Sequence, residues 1–248
     1  MNRFRRFRKA STPSGARRAF TLIELLAVIA ILGILAAILV PTVSSARTSA
    51  YKAKTRAQFS QWASAFEAFR QEYGTYPQLF TNGTQKLVNQ GATTQASGNH
   101  LFYDLLSGVH RDGTALTGAT TGNPVPALGQ NTRRIRFYSF PDNEIVTQAD
   151  VNNGFNTAAQ LNFIHDAFHN TSIAVVTDSN LDGVINGRDA TGGYPSVTVA
   201  GGTTAIRPTG TGTSPVTTAT TGGVRAGVIF YCAPPGASTE ADFILSWK

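Results

Sequence analysis

The chain of 248 residues has a single cysteine, Cys232, so no intrachain disulfide can form. Any clamp beyond ordinary packing must be of another kind, such as a metal. Acidic residues are missing from the first 19 positions, which instead carry Arg3, Arg5, Arg6, Arg8, Lys9, Arg17 and Arg18. Those seven account for the whole formal charge of +7, because the other 14 basic residues balance 14 acidic ones. The basicity belongs to a leader, which argues against a nucleic-acid-binding surface on the rest of the chain. Also missing are a Gly-rich phosphate loop after a strand and a nucleophile elbow, and the scattered Ser, His and Asp residues define no triad. The expectation is a protein that is not an enzyme.

What the sequence does have is one long apolar run, RAFTLIELLAVIAILGILAAILVPTV (18–43), broken by a single charge, Glu24. Phe20 to Val43 is 24 residues, enough to span a bilayer core of roughly 30 Å at about 1.5 Å per residue. A lone carboxylate there costs a few kcal/mol to insert, so Glu24 needs a partner, and another copy of this chain is the expected one. Basic residues ahead of the span hold the N-terminus in the cytoplasm and send the remainder out of it. An ordinary secretory signal is cut after its apolar core. Here the small residue Ala19 precedes that core, so cleavage at Ala19 leaves the apolar segment on the mature protein.

The string AFTLIELLAVIAILGILAAILVP (19–41) resembles the N-terminal segment of type IV pilins and of the pseudopilins of type II secretion systems. The resemblance implies cleavage by a prepilin peptidase between Ala19 and Phe20, although the residue before the cut is usually glycine in that family. It also implies N-methylation of Phe20. Glu24 would neutralise the Phe20 amine of a neighbouring subunit, since a carboxylate and an ammonium cost less together in hydrocarbon than apart. Pro41 matches the proline that loosens the family's helix by removing an amide donor.

Beyond Pro41 there is no further proline before Pro77, and Phe59, Trp62, Phe66, Phe69 and Tyr73 recur every three or four positions. That is the stripe of an amphipathic helix packed on a core. With Gly74 as its stop, a helix of roughly 80 Å is predicted over about 21–73. The organisation expected is a cleaved leader (1–19), a membrane part of the helix (20–43), its outer part (44–74), and an extracytoplasmic globular domain (75–248). HLFYDLLSG (100–108) suits a short helix. RIRFYSF (134–140), SIAVVTD (172–178), AGVIFYC (226–232) and DFILSW (242–247) read as strands. The fold class is α+β, a long helix on a small antiparallel sheet. Residues 190–223, dominated by Gly and Thr, read as a loop too polar to bury much.

Asp178 to Asp189, DSNLDGVINGRD, has the spacing of a calcium loop: Asp178, Asn180 and Asp182 at alternate positions, then Gly183 for the sharp turn. The Val184 carbonyl, Asn186 and Asp189 complete the expected Ca²⁺ shell. The string resembles the calcium loop of dockerin modules, where Asp also closes the loop, and major pseudopilins carry a calcium site in their C-terminal region. HDAFH places His165 and His169 four residues apart, as in a zinc-binding helix. Asp166 stands where a metalloprotease has glutamate and no third ligand is evident, so the zinc reading is set aside. DAFHNTS (166–172) resembles instead the DPWGNPY stretch of major pseudopilins, with Asp166, Phe168 and Asn170 matching in kind. The ending VIFYCAPPGASTEADFILSW resembles the pseudopilin C-terminal pattern.

These resemblances imply a filament subunit of a type II secretion system in the bacterial inner membrane. Its partners would be other copies or related pseudopilins, the prepilin peptidase and, indirectly, the assembly platform and secretion ATPase. The alternatives are a type IV pilus subunit for adhesion, motility or DNA uptake, and a membrane-anchored calcium-dependent binding domain.

Overall fold

The computed structural model describes residues 21–80, 87–118, 120–122, 124–187, 189, 194–208 and 223–247. Helix α1, Leu22–Tyr73, opens on Thr21, which with Glu24 forms a capping box. The helix continues through position 41, and the Thr42 hydroxyl donates back to the Leu39 carbonyl at 2.8 Å. It ends at Gly74, whose φ of +78° suits a left-handed stop and whose N–H reaches the Arg70 carbonyl. The chain divides into two compact units, one ending at Arg47 and one from Thr48 onward. In the first, Leu22, Ile23, Leu25 and the apolar residues that follow to Val43 are exposed. This stretch is long and apolar enough to cross a membrane.

The second unit is built on the aromatic stripe. Phe59, Trp62 and Phe66 have no exposed surface, and Phe69 almost none, because they pack on one face of a three-stranded antiparallel sheet. That sheet has the order β1 (Ala174–Thr177), β4 (Val228–Cys232), β5 (Ile244–Leu245), with Val175 opposite Phe230 and Cys232 opposite Ile244. Val175, Val228, Phe230, Cys232 and Ile244 face the helix. Phe230 meets Phe59, Trp62, Phe66 and Phe102, so the stripe is a packing surface. Trp62 Nε1 donates to Glu144, whose buried carboxyl also accepts from the Tyr138 hydroxyl.

The opposite face of the sheet is buried as well. Ala174, Val176, Ile229, Tyr231 and Leu245 are covered by Tyr194, Val197 and Val199, and a two-stranded ribbon forms from β2 (Val197–Thr198) and β3 (Ala205–Ile206). The Tyr231 hydroxyl donates to the Pro195 carbonyl at 2.7 Å. This corrects the reading of 190–223 as a tract that buries little. Of its described residues, 194–200 close the far side of the sheet while 201–205 are exposed, and 190–193 and 209–222 lie outside the described residues. Burial on both faces explains why β1 and β4 read as continuous apolar runs rather than alternating ones.

The expected helix at 100–108 is α2, Leu101–Ser107, with His100 as N-cap and Gly108 as its left-handed C-cap. Two further short helices follow, α3 (Ala127–Gln130) and α4 (Gln148–Asn152). The segment 134–140 is not a strand, contrary to the expectation from its short apolar run. Arg134 takes a φ of +52°, the Phe137 and Tyr138 amides both donate to the Leu106 carbonyl, and the Asn131 side chain binds both main-chain groups of Ile135. With its backbone occupied in this way, the segment sends Phe137 and Phe140 to the core without pairing to another strand.

Candidate functional site

Ala19 and Phe20, the expected cleavage and methylation positions, lie outside the described residues. At Thr21 the main-chain N–H and the hydroxyl donate to Glu24 Oε2 at 2.8 and 2.7 Å, and the Glu24 amide donates to the Thr21 hydroxyl. Glu24 therefore has intrachain hydrogen-bond donors, all of them uncharged, which leave its negative charge without a counter-charge from Thr21. The T-x-x-E spacing is the sequence signal for this box. Within the chain Glu24 caps the first turn of α1, and the box fixes where its carboxylate sits.

In the loop after β1, Asp178 is buried and Asn180 and Asp182 are exposed. Asp178 Oδ2 accepts the Gly183 N–H at 2.7 Å, and Oδ1 accepts the Asp182 N–H at 3.2 Å. Asn180 Oδ1 accepts the Asp182 N–H at 3.0 Å, and Asp182 Oδ1 accepts the Val184 N–H at 2.9 Å. The turn needs left-handed backbone at Leu181 (φ +61°) and at Gly183 (φ +84°), and glycine supplies the second at no steric cost. Buried Asp189 reaches back across the loop: Oδ1 accepts from the Ser179 N–H and hydroxyl at 2.9 and 3.0 Å, and Oδ2 from the Asn186 N–H at 3.0 Å. Residues at the two ends of the calcium-like string are thus brought together. The stem is held by Ile185 and Val224, which exchange two main-chain bonds.

HDAFH is a turn and not a helix. The Phe168 and Asn170 amides donate to Asp166 Oδ1 at 2.8 and 2.9 Å, and His169 takes a φ of +58°. Cys232 Sγ lies 3.1 Å from Asp166 Oδ2; burial raises the Asp166 pKa to about 6 and pushes the Cys232 thiol well up. The turn docks on α1 through Gln58 Nε2 to the His165 carbonyl, the Ala167 N–H to the Thr55 hydroxyl, and an edge contact of Phe168 with Tyr51. Burial holds His165 below its ordinary pKa.

The structure also brings Asp150, at the start of α4, to the two histidines, with ligand atoms of all three within 4.8 Å of one another. Asp150 is the residue that sequence reading missed. Its T-x-x-D spacing with Thr147 signals a helix cap, but no short motif relates it to the two histidines that follow the intervening loop. A cavity of about 340 Å³ lies elsewhere, lined by Leu79, Leu101, Leu116, Leu128, Asp104 and His110. Burial raises the Asp104 carboxyl there to about 6, against the lowering effect of its hydrogen bond from the His100 N–H.

Residues 15–40 match the prokaryotic N-terminal methylation motif. The chain carries the prepilin-type cleavage and methylation segment of type IV pilin-like proteins. No curated protein and no solved structure matches it. The prepilin-type segment implies processing by a prepilin peptidase and filament assembly, and together with the apolar helix it fits anchoring in a membrane. A long helix on a small antiparallel sheet is the pilin-like layout.

Proposed function

We propose that the protein is a structural filament subunit of a type II secretion system, a pseudopilin, with its C-terminal domain outside the cytoplasm. The observation that carries this reading is the prepilin-type segment at 15–40, which leads directly into the exposed apolar part of α1. Cleavage between Ala19 and Phe20 creates an ammonium, and N-methylation leaves it charged. Glu24 of the next subunit neutralises that charge as the helices bundle. The exposed apolar residues from Leu22 to Val43 pack first against lipid and then against neighbouring helices.

The secretion role is preferred to a pilus role on the likeness of 166–172 and of the C-terminal end to major pseudopilins. A neighbouring secretion ATPase and secretin would support it, and a retraction ATPase would favour the pilus. Mass measurement of the membrane-extracted protein tests the processing: loss of residues 1–19 plus one methyl group is expected, and an intact N-terminus overturns it. Glu24→Ala is expected to leave the subunit in the membrane but outside filaments.

The loop 178–189 is proposed to bind Ca²⁺ through Asp178, Asn180, Asp182, the Val184 carbonyl, Asn186 and Asp189. Three carboxylates and neutral oxygens suit a hard cation that takes six to eight oxygen ligands. The loop's stem pairs with Val224, a few residues ahead of β4, so calcium would stiffen a domain that has no disulfide. A melting temperature of the full chain in detergent that is the same in calcium and in chelator refutes the site.

A further inference from the structure

We propose that Asp150, His165 and His169 form a second metal site, for a divalent first-row transition ion, with zinc the best fit. The three residues come from α4 and from the turn after it, and their ligand atoms lie within 4.8 Å of one another. Each side chain has one polar atom committed elsewhere or one left over. His165 Nδ1 is 2.7 Å from the Asp166 carbonyl, an acceptor only, so Nδ1 carries the proton and Nε2 keeps the lone pair. Asp150 Oδ2 accepts from the Thr147 N–H and hydroxyl at 2.8 and 2.6 Å, which fixes the carboxylate and leaves Oδ1 for a ligand role. His169 Nδ1 is buried and 3.4 Å from Asp150 Oδ1, yet makes no hydrogen bond among the described residues.

An ordinary His–Asp pair would satisfy that nitrogen, so the pair alone does not account for the arrangement. Donors on a tetrahedral zinc, at about 2.0–2.2 Å from the ion, lie roughly 3.3–3.6 Å apart. The Asp150–His169 separation of 3.4 Å already meets this, and the remaining separations, at most 4.8 Å, have to shorten by little more than about 1 Å for the three donors to share one ion. Two imidazoles and one carboxylate suit zinc rather than calcium, which takes only oxygens. The Asp150 and His169 side chains are 17% and 32% exposed, which gives the ion a path in and leaves a fourth position open to water.

The ion would tie α4 to the turn that docks on α1 through Gln58, Thr55 and Tyr51. Such a clip closes the short loop between α4 and the turn, the role a disulfide would fill in a chain with more than one cysteine.

The test uses the untagged full chain in detergent, stripped of metal and kept in excess calcium, so that its outcome is independent of the 178–189 loop. Zinc chloride is titrated by calorimetry, and cobalt(II) is added separately for its visible absorption. One zinc per chain is expected, with a rise in melting temperature of about 5–10 °C at 100-fold excess over the dissociation constant. Asp150→Asn keeps the cap acceptor, and His169→Asn keeps a residue that tolerates left-handed backbone. Both are expected to weaken binding by at least about 10–100-fold and to abolish the tetrahedral cobalt spectrum, which reports on coordination whatever the variant's own stability. Absence of zinc binding in the parent chain, or binding unchanged in either variant, overturns the proposal.

Discussion

His100 Nε2 lies 2.9 Å from Asn89 Oδ1, and that bond sets the protonation state of a fully buried imidazole. The Asn89 amide donates to the Ile164 and Thr171 carbonyls, so its oxygen faces His100 as an acceptor and Nε2 carries the proton. Nδ1 is then free to accept the Tyr103 N–H and cap α2. Protonation of Nδ1 would break that cap. Burial lowers the His100 pKa to about 3, with the nearby Arg111 charge acting in the same direction.

The folded pKa lies below the unfolded one, so this group's contribution to stability is complete above about pH 6.5 and is lost as pH falls through about 3. Within that window the unfolded state binds the proton that the folded state refuses, a slope approaching ~1.4 kcal/mol per pH unit. His100→Asn keeps an N-cap acceptor without the titration. Denaturant unfolding of parent and variant from pH 7 to pH 4 is expected to show the parent losing stability faster as pH falls. Parallel profiles would show that His100 does not titrate in this way.

Asn89 serves both sides of the 164–171 segment, accepting the Ile164 N–H at 2.8 Å while its amide holds two carbonyls. Asn89→Ala strands these main-chain groups together with His100 Nε2. The expected cost is about 2–4 kcal/mol, measured by denaturant unfolding at pH 7. Because His100 shares the network, Asn89→Ala and His100→Asn together should cost less than their sum.

Gly227 has no room for a side chain, since a Cβ there would meet the Tyr76 hydroxyl at 1.6 Å and Glu67 Oε1 at 2.5 Å. Tyr76 is held in place, donating to Glu67 at 2.6 Å and accepting from Arg70 at 3.1 Å. Gly227→Ala is expected to destabilise by about 1–3 kcal/mol by overpacking. Tyr76→Ala in the same chain should recover part of that loss, and strict additivity would place the strain elsewhere.

What is legible in a sequence depends on how local the determining interaction is. The Phe59–Tyr73 stripe is legible because helix periodicity is a property of neighbouring positions, and His100 to Gly108 carries both of its caps within one short string. The 134–140 segment misleads because a short apolar run matches a strand, while its fate is decided by Asn131 and by the Leu106 carbonyl on another element. Tyr194 and Val197 are hard to place because their neighbours are mostly Gly and Thr, and only the far face of the sheet gives them a reason to be buried. For the sites, the spacing of Asp178, Asn180 and Asp182 is readable in one loop. The meeting of Asp150 with His165 and His169 exists only once α4 and the turn are folded together.

Asp182 and Asp189 occupy the same calcium-like string but do different work in the folded chain. Exposed Asp182 holds the turn through the Val184 N–H and the Asn180 amide, both of which have water as an alternative partner. Buried Asp189 satisfies Ser179 and Asn186 across the loop, so its removal leaves main-chain donors without an acceptor. In chelator, Asp189→Ala is therefore expected to lower stability by about 2–3 kcal/mol, whereas Asp182→Ala should change it by less than about 1 kcal/mol. In calcium the contrast takes another form. Asp182→Ala should lose most of the calcium-dependent rise in melting temperature, because a carboxylate that contributes little to the metal-free fold still supplies charge to the ion. If Asp182→Ala retains the full rise, the ion does not sit at this loop, even if the chain as a whole binds calcium.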